Sequence, residues 1–166
     1  VKASVEETQI DNLLNLSFKI EETEKFVLKK INIYGNNVTE ETVIRNQLEI
    51  DEGDPDNEIL VNKSINNIRN LNFFRSVKEN IEQIDEMSKI LNIFVEEKPT
   101  GEIAAGAGYC TEGSKIFFSV SENNYLGKGI DIDTNVQLST ESIKGVFRTT
   151  NPNYKNSDKS LSFSFE

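Results

Sequence analysis

The sequence predicts an α+β module followed by an antiparallel all-β region. Residues 26–97 are predicted to form strand, helix, helix, strand, strand. The interval between apolar residues changes from two in the first strand to three or four in the helices and back to two. Beyond Pro99, short alternating strands with turn residues between them replace the helical pattern. The clearest alternation covers residues 130–138, where aliphatic side chains face one side of a strand and carboxylates and amides the other.

The first predicted strand covers residues 12–22. Its apolar positions, Leu14, Leu16, Phe18 and Ile20, alternate with polar ones and indicate a half-buried strand. The strand ends in a Glu pair at Glu21 and Glu22, and a similar ending recurs roughly 75 residues later at Glu96 and Glu97, which hints at an internal repeat. We therefore interpret residues 1–24 as the end of a preceding copy of the module.

The module itself begins with a strand containing Ile31 and Ile33, which closes at the turn residues 34–37. Thr39 is the predicted N-cap of a first helix, whose short apolar face is Val43, Ile44, Gln47 and Leu48. A break at residues 51–55 precedes a longer helix over residues 57–71. Its stripe has helical spacing and consists of Val61, Ser64, Ile65, Ile68 and Leu71.

Two strands complete the module. The first runs from Val77 to Ile84, and after a turn at residues 85–86 the second runs from Ile90 to Val95. We expect the two helices to cover one face of a three-stranded sheet. Such a module, of about 70 residues, lies near the lower limit for independent stability.

The all-β region starts after a boundary at residues 99–101. Its predicted strands are Ile103 to Tyr109, Lys115 to Ser121, Ile130 to Leu138, Ser142 to Thr149, and Lys159 onward, with turns at 111–113, 123–124, 140–141 and 151–153. This spacing is typical of an antiparallel meander. Periodicity leaves two alternatives open: a soluble sandwich with a packed apolar side, or a membrane barrel whose apolar side meets lipid. The sequence stops within a strand, so we expect it to be a piece of a larger protein.

Composition excludes several classes of function. The formal charge of −10 argues against nucleic-acid binding. With no His and only Cys110, the common metal-ligand sets and Ser-His-Asp or Cys-His catalytic arrangements are absent, so we expect no enzyme, metal or cofactor.

Three local patterns also lack a chemical role. The acidic residues 51–58 fail EF-hand spacing and read as a turn before a helix. The glycines of residues 106–108 have no helix after them, unlike a dinucleotide fingerprint. Asp131 and Asp133 alternate with isoleucines, which indicates a solvated strand face rather than an acid-base pair.

Residues 29–36, 39–48, 52–54 and 70–77 together resemble a POTRA domain. Residues 95–101 resemble a junction into a β-barrel, residues 106–109 with 111–112 resemble a first barrel strand and turn, and residues 123–129 and 150–154 resemble later turns. These five motifs, in this order, resemble the BamA family of outer-membrane β-barrel assembly factors. Cys110 departs from the family, which tends to have Gly there.

The resemblance implies three segments: the end of a preceding POTRA domain (1–24), a membrane-proximal POTRA domain of β-α-α-β-β order (25–98), and the first four to five strands of an incomplete transmembrane β-barrel (99–166). It also implies a bacterial outer-membrane location with the POTRA part in the periplasm. The implied function is folding and insertion of β-barrel precursors. The implied partners are those unfolded precursors, outer-membrane lipid and the lipoproteins of an assembly complex.

Two client-binding elements follow from the resemblance. An exposed POTRA edge strand, represented by Val77, Glu79 and Ile81, would add an extended client segment by backbone pairing. The first barrel strand would form a weakly paired lateral seam through Ile103, Ala105, Gly106, Ala107, Gly108 and Tyr109. Because Ala and Gly offer little side-chain packing, we expect Gly106→Val with Gly108→Val to impair client insertion.

Two other functions remain open at this point. A two-partner secretion transporter also carries POTRA domains but exports one dedicated substrate. A soluble periplasmic binding module would use the meander as a β-sandwich.

Overall fold

The structure is a computed structural model that describes residues 2–10, 13–21, 25–111, 113–155, 157 and 159–166. Ten strands and two helices follow one another in these ranges. They are β1 (Lys2–Ile10), β2 (Leu13–Glu21), β3 (Val27–Tyr34), α1 (Glu41–Arg45), α2 (Glu58–Asn70), β4 (Phe74–Asp85), β5 (Ser88–Glu97), β6 (Gly101–Cys110), β7 (Gly113–Tyr125), β8 (Ile130–Ser139), β9 (Ile143–Asn151) and β10 (Leu161–Phe165).

The predicted α+β module forms with its strands in the order β3-β5-β4. The central strand β5 pairs in parallel with β3 and antiparallel with β4. One apolar core joins the sheet to α1 and α2; its members include Leu28, Ile31, Ile44, Val61, Ile65, Ile68, Leu91 and Ile93. The predicted helical stripe of α2 is therefore confirmed, with Val61, Ser64, Ile65 and Ile68 buried and Leu71 partly buried.

The N-cap prediction for α1 was wrong by one residue. Glu40 is the N-cap, and its side chain makes no capping hydrogen bond. Thr39 lies just outside the helix, and its hydroxyl accepts a hydrogen bond from a distant partner, described below. The longer helix does begin as its sequence suggests, since the Asn57 side chain accepts hydrogen bonds from the N–H groups of Ile59 and Leu60.

The N-terminal strands form a separate hairpin. β1 and β2 pair antiparallel, and among the described strands they pair only with each other. Leu14, Leu16 and Phe18 are exposed, so the predicted half-burial of this strand is wrong for the chain as it stands: no described element covers that face. Residues 12 and 22, part of the prediction, and the side chain of Ile20 lie outside what the structure describes.

The predicted meander is confirmed, with strand order β10-β9-β8-β7-β6. One expected turn was misplaced. Residues 123–124 belong to β7, which runs on to Tyr125, and the chain turns at 126–129 instead. The β7–β8 register is irregular between Glu122 and Tyr125, so the extra strand residues are accommodated by a bulge-like break in pairing.

The antiparallel register sorts the meander's side chains onto two faces. On one face Phe118 lies opposite Val136, and on the other Asp133 lies opposite Arg148. The apolar face carries Ile103, Ile116, Phe118, Leu138, Ile143, Phe147, Phe163 and Phe165, all exposed. Every buried hydrophobic residue of the described chain lies between Leu28 and Val95, so the meander contributes nothing to the buried core.

None of the described helices is long and apolar enough to cross a membrane.

Candidate functional site

The predicted client-binding strand β4 lies at an edge of the three-stranded sheet. Val77 differs from the other two predicted residues because its side chain belongs to the core, with 5% of its surface exposed. It can therefore offer a partner only its backbone. The side chains of Glu79 and Ile81 lie further along the same strand, and Ile81 is exposed.

The backbone of β4 presents alternate residues outward. The Val77 carbonyl accepts a hydrogen bond from Arg69 Nη2 at 3.0 Å, and Arg69 belongs to α2 rather than to β5. In an antiparallel ladder the N–H and C=O of one residue point the same way, and this direction alternates along the strand. The backbone groups of Glu79 and Ile81 therefore also point away from β5, toward the free edge.

Arg69 restricts where that edge is open. Its guanidinium occupies the Val77 carbonyl and lies 3.8 Å from the Glu79 carboxylate. The Val77 carbonyl is thus already satisfied within the domain, and the open portion of the edge begins at Glu79. The role of Arg69 could not be predicted from the sequence, because Arg69 lies outside the apolar stripe of α2 and resembles any exposed helical arginine.

The opposite edge of the sheet, β3, is covered. The Leu28 N–H donates to Asp54 O at 2.9 Å, and the Gly53 N–H donates to Leu28 O at 2.7 Å. The Ile31 N–H donates to the Glu52 carboxylate at 3.0 Å, and its carbonyl accepts from Arg45 at 2.9 Å. The acidic segment predicted as a simple turn therefore caps a strand edge, leaving β4 as the more accessible side.

The predicted seam strand β6 lies at one end of the meander, and no described strand pairs with its outer edge. Ile103, Ala105, Ala107 and Tyr109 share the apolar face, with Gly106 and Gly108 on the other face. Two of these residues, Ile103 and Tyr109, are strongly exposed. The structure thus places all six predicted residues on one open strand with mostly small side chains.

The two glycines of β6 have different surroundings. A Cβ on Gly106 would lie 2.3 Å from Cε1 of Phe117, its register partner on β7, whereas a Cβ on Gly108 would meet nothing within 4 Å. The Phe117 ring therefore packs over the bare Gly106 backbone, an arrangement that compensates a strand for a glycine. In the sequence this contact is indicated by the run Ile116-Phe117-Phe118, because the run breaks the alternation of apolar and polar residues and puts an aromatic ring on the polar face of β7.

A carboxylate fixes the loop that leads into α1. Glu97, the last residue of β5, accepts hydrogen bonds from three successive backbone N–H groups: Asn37 at 3.0 Å, Val38 at 3.0 Å and Thr39 at 2.7 Å. Partial burial opposes the charged form of Glu97, but these donors outweigh it and hold the pKa of Glu97 below its ordinary value.

The same loop docks on the β7–β8 turn. The Asn124 side chain donates to the Thr39 hydroxyl at 2.9 Å and accepts from the Gly129 N–H at 2.8 Å. The Glu40 N–H donates to Gly127 O at 2.8 Å. A Cβ on Gly127 would lie 1.9 Å from the Val38 carbonyl oxygen, so only glycine permits this approach.

A polar cavity of about 1180 Å³ separates the α+β module from the polar face of the meander. Amide and charged side chains dominate its lining, among them Asn46, Asn67, Asn70, Asn123, Asp131, Asp133, Arg148 and Lys155. Asp131 and Asp133, predicted to lie on a solvated face, line this cavity. In the described part of the chain, no group of three or more His, Cys, Asp or Glu residues is arranged to hold a metal ion.

Comparison with known proteins identifies these parts. Residues 26–98 match the POTRA family model, described as a surface antigen variable number repeat. Over 115 residues the chain is 36% identical to "Outer membrane protein assembly factor BamA" of Neorickettsia risticii, an alignment that covers 69% of this chain and 16% of that relative. The chain belongs to the BamA-like family of POTRA-plus-barrel proteins.

Solved structures support the fold of this BamA-like chain. BamA from Haemophilus ducreyi lacking POTRA domains 1–3 superposes with a TM-score of 0.80 at 20% identity, covering 98% of this chain and 32% of that one. CdiB from Escherichia coli gives a TM-score of 0.55 at 14% identity, covering 89% and 28%. At these identities both likenesses concern the fold alone. The chain spans less than a quarter of the length of its BamA relative.

The predicted family resemblance is confirmed. The sequence-based domain limits and the roles assigned to β4 and β6 stay predictions, and they enter the proposal that follows.

Proposed function

We propose that this protein is an outer-membrane assembly factor that folds and inserts β-barrel precursors. Its POTRA domain lies in the periplasm and its barrel strands in the outer membrane, as in the BamA proteins it resembles. It works by strand pairing and requires no cofactor or enzymatic step. Residues 1–24 are the end of a preceding POTRA domain, residues 25–98 the membrane-proximal one, and residues 99–166 the first barrel strands.

The observation that carries the proposal is a pair of open strand edges in one chain. β4 offers outward backbone groups from Glu79 onward, and β6 offers its whole outer edge. Unpaired edges are templates for an incoming strand, because backbone hydrogen bonding needs little particular sequence. A protein that serves many different precursors needs such sequence tolerance.

The two edges have distinct tasks in this scheme. β4 captures an extended precursor segment in the periplasm, where Val77, Glu79 and Ile81 mark the pairing strand. β6 receives the precursor's terminal strand within the membrane, through Ile103, Ala105, Gly106, Ala107, Gly108 and Tyr109. The small residues of β6 leave its outer edge weakly held, so a new strand can exchange onto it. Outer-membrane lipid and assembly-complex lipoproteins are the further partners we propose.

A second candidate is a two-partner secretion transporter. The likeness to CdiB structures supports the secretion transporter only through the shared fold. The 36% identity to a BamA assembly factor over 69% of this chain supports the assembly factor instead. The soluble sandwich receives less support, because the meander is a single sheet whose apolar face belongs to no buried core of the described chain.

Depletion of the full-length protein in its native host tests the proposal. We expect the folded forms of many unrelated outer-membrane barrels to decline together, and re-expression of the wild-type protein to restore them. Loss of one exported polypeptide, with barrel assembly unchanged, would instead identify a secretion transporter. A strain whose barrel proteins and exported proteins are both normal would contradict both candidates.

A further inference from the structure

Three exposed apolar residues lie where the POTRA domain meets the meander. Tyr125 and Leu126 belong to the end of β7 and its turn, and Val38 belongs to the POTRA loop docked on that turn. Val38 is 67% exposed and Leu126 is 68% exposed. Single exposed apolar residues are ordinary, but three at one edge of an apolar band merit an explanation.

The backbone fixes Val38 beside the turn. The Val38 N–H donates to Glu97, and its carbonyl lies so close to Gly127 that a Cβ there would clash. The next residue but one, Glu40, donates its N–H to Gly127 O. Because the loop is held on both sides, placing the Val38 side chain against a surface costs little further ordering of the backbone.

The strand register places Tyr125 on the apolar side of the sheet. Tyr125 pairs with Ile130, which shares a face with Ile132 and Val136. The polar cavity is lined by Asn123, Lys128 and, at the start of β8, Ile130, but by none of Val38, Tyr125 or Leu126. Tyr125 thus continues the apolar band of the strands, and the exposed Leu126 and Val38 lie next to it in the turn and in the loop docked on that turn.

Leu126 adds an independent indication. Its φ is 56°, in the left-handed region where Gly, Asn and Asp are favoured and leucine is uncommon. A leucine with this backbone and an exposed side chain is poorly explained by the folding of the turn. Contact between the Leu126 side chain and an apolar environment outside the chain would explain why leucine occupies this position.

We infer that Val38, Tyr125 and Leu126 form a membrane anchor that enters the headgroup region of the periplasmic leaflet. Tyrosine at the end of a barrel strand suits this depth, because its ring is apolar and its hydroxyl remains hydrated. The new part of this inference is the role of Val38. Through Val38 the POTRA domain contacts phospholipid directly, and the contacts of the 37–39 loop set the orientation of the domain. The inference rests on the proposed function, in that the strands must lie in a membrane.

Depth-dependent fluorescence quenching tests the anchor. In the full-length protein, Cys110 and any other cysteine are changed to Ser, and Val38→Cys is labelled with an environment-sensitive fluorophore. The protein is reconstituted alone into phosphatidylcholine vesicles that carry a quencher either near the headgroup or deep in the acyl chains. Ile59→Cys on α2 is the matched control, since Ile59 is also an exposed POTRA aliphatic residue. Phe118→Cys, mid-strand on the apolar face, reports membrane insertion.

We expect the Val38 label to shift to shorter wavelength in vesicles and to lose more intensity with the shallow quencher than with the deep one. The Ile59 label should show neither change, and the Phe118 label should respond more to the deep quencher. If Phe118 is quenched while Val38 behaves like Ile59, the anchor is wrong and the membrane placement stands. If Phe118 is not quenched, the membrane placement fails and the anchor fails with it.

Discussion

The side-chain amide of Asn124 donates a hydrogen bond to the hydroxyl of Thr39 at 2.9 Å, joining residues 85 positions apart in the chain. Both side chains are buried, and Thr39 is only 2% exposed. A buried polar pair of this kind is costly to break on one side only, because the remaining partner loses its hydrogen bond without regaining water. The contact therefore couples the POTRA domain to the barrel strands.

Asn124→Ala should loosen this coupling. The change removes the bond to Thr39 and the bond from Gly129, and we expect it to destabilise the docked arrangement by about 1–3 kcal/mol. Distances between spin labels on α2 and on β8 should broaden in the variant. Asn123→Ala is the control, since Asn123 is exposed and neighbours the same turn. Equal distance distributions in the two variants would contradict the coupling.

The Glu97 contact with the 37–39 loop should depend on pH. The pKa of Glu97 is lowered in the folded state, so its stabilising contribution is fully present above the ordinary glutamate pKa and is lost as pH falls through the lower folded value. Hydrogen exchange of the Asn37, Val38 and Thr39 amides should become faster, relative to their intrinsic rates, over that acidic range.

Glu97→Gln should remove this pH dependence and reduce protection of the same amides at neutral pH. The expected loss is about 1 kcal/mol, since the carboxylate is partly solvated. Glu96→Gln is the matched control, because Glu96 faces solvent and contacts the side chains of Arg75 and Ser76 rather than the loop. Protection that falls equally in both variants would show that Glu97 has no special role.

Arg69→Ala should lengthen the open edge of β4. The change frees the Val77 carbonyl, so an incoming strand gains one backbone position. One additional hydrogen bond of about 1 kcal/mol corresponds to roughly fivefold tighter pairing. Photo-crosslinking from position 81 to an unfolded barrel precursor would measure this. Arg75→Ala, which removes an exposed arginine from β4 itself, should leave capture unchanged; reduced capture by Arg69→Ala would contradict the edge model.

The two glycines of β6 should respond differently to valine. Gly106→Val would displace the Phe117 ring, whereas Gly108→Val adds a side chain in open space. We expect Gly106→Val to lower the fraction of folded full-length protein and Phe117→Ala to relieve part of that loss, with a coupling of about 0.5–3 kcal/mol. Mobility of unheated protein on SDS gels reports the folded fraction. Additive effects of the two changes would rule out the contact.

Client insertion distinguishes the ring contact from stiffness of the strand. If a stiffer seam alone impairs insertion, Gly108→Val should slow it although the protein folds normally. Normal insertion by a folded Gly106→Val, Gly108→Val double variant would count against the seam role of β6.

Local sequence patterns predicted most of the helices and strands and the buried stripe of α2, because burial of one face of an element produces a periodic pattern of apolar residues. The patterns failed where a side chain contacts a residue distant in the sequence. Thr39 resembled an N-cap, but its hydroxyl pairs with Asn124, and Glu40 takes the cap position instead. The exposed face of β2 was expected to be half-buried because its alternation is the same whether or not another layer covers it.

Some features of the candidate site could likewise be predicted from the sequence, and others could not. The small residues of β6 were visible in the sequence, whereas the choice of β4 as an edge strand came from the family resemblance. The arginine that caps Val77 and the ring that covers Gly106 were not, since each depends on the register between two elements. Edge exposure itself is a property of the sheet order, which no single strand encodes.

Disulfide trapping at β6 tests the central claim most directly. In the full-length protein, Ile103→Cys or Ala105→Cys is combined with single cysteines scanned along the terminal strand of a barrel precursor. Val136→Cys is the control, because it shares the apolar face but β7 and β9 pair with β8 on both sides. We predict crosslinks in one register at β6 and none at Val136. Efficient assembly of the precursor with no β6 crosslink at any scanned position would contradict the account.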